Sequence, residues 1–82
     1  MTKKEKEVLK NEYINVIFDT WYQFHKMKMS RTQENEDSYN RKLHFEIEFE
    51  RILQALKINP EELLSENKRN YIQKVAMETA TE

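Results

Sequence analysis

His25 and His44 are the side chains of this sequence best suited to proton transfer or metal ligation near neutral pH. His44 and Glu48 stand four positions apart, so on a helix they share a face and offer two metal ligands. A metal centre needs three or four ligands. Neither a His-x-x-x-His pair nor the Glu-x-x-His pairs of di-metal helical bundles occurs. Cysteine is absent, which removes thiol nucleophiles, disulfides and zinc–thiolate sites. Glycine is absent too, so neither a phosphate-cradling loop nor a dinucleotide fingerprint nor a serine elbow can be written. Glu46 and Glu50 form a carboxylate pair on one helix face, and such faces are usually only solvated. The expectation is therefore no catalytic, cofactor-binding or metal-binding residue, and a protein that is not an enzyme.

The elements that would carry other functions follow from the same composition. Without glycine, tight hairpins and bulges become unfavourable, and Glu, Lys, Leu, Gln, Met and Arg favour helices. An all-α, three-helix domain spanning residues 1–82 is expected, with a long antiparallel helix pair and a third, shorter helix. The first helix is predicted over 3–27 with Thr2 as N-cap. Leu9, Tyr13, Val16, Ile17, Phe24 and Met27 lie on one stripe of it at about 100° per residue. Residues 29–37 read as a polar connector in which Thr32 and Asp37 can each start a helix, and 79–82 as a frayed tail.

The second helix is predicted over 38–57, with Phe45, Phe49, Ile52, Leu53 and Leu56 as its inward stripe. Residues 43–49 also alternate apolar and polar, which is a strand pattern, but no other segment offers a partner strand short of a second copy. The third helix, over 60–78, has the clearest start: Asn59 as N-cap, Pro60 at the first helical position, and Glu61 and Glu62 at the positive end of the dipole. Leu64, Tyr71 and Val75 are expected to close the core, and Ser65 can cap a restarted helix.

The first helix carries a second apolar face, Ile14, Phe18, Trp21, Tyr22 and Met29, of residue types enriched at interface hot spots. It is read as a protein interface, and a homodimer is expected through it. The formal net charge of −1 gives no general attraction to nucleic acid or anionic membranes. Lys26, Lys28, Arg31, Lys68 and Arg69 would supply nucleic-acid contacts only if packing gathers them on one face. Residues 52–64 resemble the closing helix and cap of lambda-repressor-type helix-turn-helix domains. Upstream there is neither the tight turn with its small residue nor a recognition helix, so the likeness does not identify the chain. In a ribbon-helix-helix arrangement of residues 43–49, Glu46 and Glu48 would oppose DNA.

The first 30 residues lack the apolar run of about 7 or more residues of a signal peptide, and no stretch reaches the roughly 20 apolar residues of a membrane span. A cytoplasmic protein that makes no use of the membrane is expected. The richness in Lys, Asn, Glu, Ile and Tyr suggests a low-GC bacterium or its phages and plasmids. The leading expectation is a small regulatory or inhibitory module that binds another protein. A dimeric DNA-binding transcriptional regulator stands second, and a structural or assembly component of a phage third.

Overall fold

The computed structural model describes residues 2–82, so Met1, the first residue of the expected domain, lies outside it. The described residues are all-helical: α1 (Lys3–Met29), α2 (Gln33–Ala55), α3 (Pro60–Leu63) and α4 (Glu66–Thr81). Residues 43–49 are helix, which removes the strand alternative.

Each helix begins where a side chain satisfies an otherwise orphaned amide. The hydroxyl of Thr2 accepts from the Glu5 N–H at 3.1 Å and that of Thr32 from the Asn35 N–H at 3.1 Å. The Asn59 side chain accepts from the Glu61 N–H at 3.1 Å, and Ser65 from the Lys68 N–H at 3.4 Å. Thr32 rather than Asp37 therefore starts the second helix, and the connector expected at 29–37 contracts to 30–32. Glu34 and Glu36 in the first turn of α2 favour this early start, since the dipole stabilises acidic groups there. Asn35 Nδ2 also donates to the Ser30 carbonyl at 2.6 Å and ties the turn down. The tail expected to fray at 79–82 is instead helical through Thr81.

α2 ends in a Schellman motif. The Ile58 N–H donates to the Leu53 carbonyl and the Lys57 N–H to the Gln54 carbonyl, both at 2.9 Å. The motif requires a left-handed residue, and in a chain without glycine Lys57 takes it at φ 59°. The accompanying apolar contact joins Leu53 and Ile58, both buried.

The single third helix expected over 60–78 is broken. Leu64 is extended at φ −149° and ψ 113°, and Ser65 restarts the chain as the cap of α4. The break has a packing reason: Leu63 and Leu64 are both buried, whereas an uninterrupted helix sets neighbours about 100° apart.

α1 is the central element. Tyr13 meets Glu50, Asp19 and Thr20 meet Lys42, and Phe24 meets Tyr39. Numbers rise on one helix as they fall on the other, so the expected long antiparallel pair is present. α4 starts beside Tyr13 and runs back along α1, with Ala76 and Ala80 buried. Tyr13, Ile17, Leu53, Ile58, Leu63 and Leu64 form the core, and Leu9, Ile14, Trp21, Phe49 and Ile72 pack around it. Each such side chain, fully buried, is worth about 1.5–3 kcal/mol of transfer free energy.

The inward stripe expected on α2 is corrected. Phe49 and Leu53 face α1, but Phe45, Ile52 and Leu56 are 59%, 55% and 51% exposed. The Leu53–Ile58 contact sets the rotation of the helix, and Phe45 and Ile52 then fall about 80–100° to one side of the core direction. The inward line runs through Tyr39, Leu43, Glu46, Glu50 and Leu53 instead. In α4, Tyr71 is exposed rather than core-facing, and Val75 is half-buried.

Candidate functional site

Beyond the core, α2 and α4 diverge and leave a cleft of about 150 Å³ lined by Tyr13, Ile17, Trp21, Glu46, Glu50, Arg69 and Gln73. Its polar members come from three helices. The Tyr13 hydroxyl donates to Glu50 Oε1 at 2.9 Å, and the Tyr13 ring stacks on Phe49 with centroids 5.6 Å apart. Burial, the bond to Glu50 and the charge of that carboxylate push the Tyr13 hydroxyl up to about 12, while Arg69 pulls weakly the other way.

Glu46 lies one turn from Glu50 on the same face. Burial, then repulsion from Glu50, raises its carboxyl to about 7, and Thr20 and Arg69 offset only part of this. Arg69 reaches Glu61 at 3.6 Å, and its Nε is buried without a hydrogen-bond partner. The Thr20 hydroxyl is buried and donates to the Val16 carbonyl at 3.0 Å.

Sequence reasoning passed over this cluster, because Glu46 and Glu50 read as an ordinary solvated pair. The signal that points to it is the spacing Tyr39, Leu43, Glu46, Glu50, Leu53, a heptad-like line in which the two carboxylates occupy inward positions. His44 is exposed and His25 half-buried. Among the described residues no group of three or more His, Cys, Asp or Glu side chains could hold a metal ion. No helix among them is long and apolar enough to cross a membrane.

The residues expected at a protein interface divide into two sets. Ile14 and Trp21 pack against the core. Phe18 and Tyr22 stack on each other with centroids 6.0 Å apart, half-buried and outside the core cluster, and Met29 is exposed. Trp21 continues into an aromatic group with Phe24 at 5.4 Å and His25 at 6.2 Å, and Phe24 reaches Tyr39 of α2 at 5.4 Å. A lysine lies over a ring on each of two sides of α1: Lys26 Nζ is 5.4 Å from the Tyr22 ring and Lys28 Nζ 5.3 Å from the Phe24 ring.

The basic residues considered for nucleic acid are not gathered. Lys26, Lys28 and Arg31 sit at the C-terminal end of α1, and Arg31 pairs with Glu36 at 3.1 Å. Arg69 sits beside Tyr13, about 20 Å away along the α1 axis, and Lys68 precedes it in α4. Arg69 is turned into the cleft. Val8, exposed and unmarked in the sequence reading, lies where the half-buried Leu9 of α1 meets Leu56, the exposed residue that caps α2.

Comparison with protein-family models, with curated proteins and with solved structures returned no match.

Proposed function

We propose that this chain is a small, non-enzymatic protein-binding module, regulatory or inhibitory in role, that holds its target with the C-terminal half of α1. The observation that carries this reading is the Phe18–Tyr22 stack with Lys26 laid over it, outside the core cluster and beside the exposed Met29. Tyr is enriched among interface hot spots, Phe and Met are enriched in interface cores, and rim charges steer association. Lys26, laid over the Tyr22 ring, makes an acidic, partly apolar segment the chemistry this face fits best.

A photo-crosslinking residue at position 22 tests the proposal in the native host. One discrete protein adduct is expected from position 22, lost in Phe18→Ala, and none from position 71, an exposed control on α4. Equal labelling from both positions would refute it. So would tight binding of random duplex DNA that weakens steeply with salt, which would favour the regulator reading.

A further inference from the structure

The cleft between α2 and α4 holds a cation that is only partly used. Arg69 of α4 carries a guanidinium with a full fork of N–H donors. Its ion pair with Glu61 of α3 is long, at 3.6 Å, and lies on a carboxylate that is 66% exposed. Its Nε is buried without a partner, on a side chain that lines the same space as Glu46 and Glu50. A buried N–H without an acceptor costs free energy, so Arg69 is held at the surface by one arm and left unsatisfied inside.

The acceptors of the cleft are divided in the opposite way. Glu50 Oε1 already takes the Tyr13 hydroxyl at 2.9 Å. Glu46, one turn away, faces the Thr20 hydroxyl, whose hydrogen goes to the Val16 carbonyl at 3.0 Å. Three donors near Glu46 are thus engaged elsewhere: Thr20 with Val16, Tyr13 with Glu50 and Arg69 with Glu61. A protonated carboxyl tolerates that position because it brings a donor of its own, whereas a carboxylate there needs a new one. Lys42, one turn before Glu46, is held on the opposite flank by Asp19 at 3.6 Å. Tyr39 and Gln73 supply the remaining polar groups around Glu46. Among the described residues no ion pair joins α2 to α4.

We propose that the cleft is a proton-gated latch between α2 and α4. With Glu46 protonated, Arg69 rests on Glu61. When the proton leaves to solvent, Arg69 exchanges Glu61 for Glu46, its Nε gains an acceptor, and α4 is tied to α2. The exchange is favoured because a charge pair inside the cleft is less screened than one on the exposed Glu61. It needs only a change of side-chain rotamer, since Arg69 borders the cleft and Glu61 at once. Burial and the neighbouring Glu50 raise the Glu46 carboxyl to about 7, so the latch is open in mild acid and closed above neutrality.

Carbon-detected NMR of the isotope-labelled full chain tests this, because it reads the Glu46 carboxyl carbon and the Arg69 Nε without relying on exchangeable protons. The Glu46 carbon should titrate with a midpoint near 7, and the Arg69 Nε should shift with the same midpoint. Glu46→Gln should abolish that shift at Arg69. Glu61→Gln frees Arg69 and should lower the Glu46 midpoint by about 0.5, a roughly threefold weaker hold on the proton. Made together with Arg69→Gln, the same substitution should move the midpoint by under about 0.1, since Glu61 then has no shared partner with Glu46. Equal displacement in both backgrounds would reveal only the field of a nearby charge and would overturn the latch. So would an Arg69 signal that ignores the Glu46 titration, or that follows pH unchanged in Glu46→Gln. Those two signals decide the matter even where Arg69→Gln fails to fold.

Discussion

Replacing Glu46 by Gln removes an ionisable group from the α2/α4 cleft while keeping its shape. The folded chain holds the Glu46 carboxyl at about 7, against 4.5 in its ordinary state. A carboxyl whose pKa is raised by folding binds its proton more tightly in the folded chain than in the unfolded one. Its contribution to stability is therefore full below about pH 4.5, falls as pH rises from there, and levels off above about pH 7. At about 1.4 kcal/mol per pKa unit the deprotonated group carries a ceiling of about 3 kcal/mol. Glu46 is only partly enclosed, and screening by solvent brings the expected cost to about 1–2 kcal/mol.

Glu46→Gln should therefore match the parent near pH 4.5 and exceed it by about 1–2 kcal/mol at pH 8, worth about 4–8 °C in Tm per kcal/mol for a domain of this size. Urea unfolding followed by the fluorescence of Trp21, the chain's single tryptophan, measures this between pH 4.5 and 8. One protein concentration must be used throughout, since self-association shifts apparent stability. Every other ionisable group is common to both chains, so the difference curve isolates Glu46. Two curves that fall in parallel from pH 5 to 8, or a Gln variant weaker than the parent at pH 8, would refute the burial and repulsion assigned to this carboxyl.

Two further substitutions probe the frame. Lys57→Gly relieves the left-handed residue of the Schellman motif and should raise unfolding free energy by about 0.5–1 kcal/mol; a loss of stability in urea melts would show that the αL turn is not the native one. Leu53→Ala empties the fully buried position that joins α2 to Ile58 and should cost about 2–5 kcal/mol by the same measurement, against under about 0.5 kcal/mol for a surface change such as Asn40→Ala.

Much of the helical layout was legible without coordinates. Thr2, Asn59 and Pro60 mark helix starts through hydrogen bonds and backbone angles that depend on neighbours within a few residues, and all act as expected. The stripe Tyr13, Val16 and Ile17 was legible because a 27-residue amphipathic helix averages out single exceptions. α2 was harder for a definite reason: it carries two competing lines four or three residues apart. One is apolar, through Phe45, Phe49, Ile52 and Leu56; the other is mixed, through Tyr39, Leu43, Glu46, Glu50 and Leu53.

Periodicity ranks the more apolar line as inward, yet the fold turns the mixed one in. Leu53 must reach Ile58, and the Tyr13 hydroxyl satisfies Glu50. The same long-range geometry buries Glu46, turns Arg69 into the cleft and breaks the chain at Leu64. Local hydrogen bonding and backbone preference are properties of neighbouring residues, so the sequence alone settled that the chain is helical and that helices start after Thr2 and Asn59. Helix rotation is settled by which residues distant in sequence share the core, so only the tertiary structure decided which carboxylates lose their water and which apolar side chains stay outside.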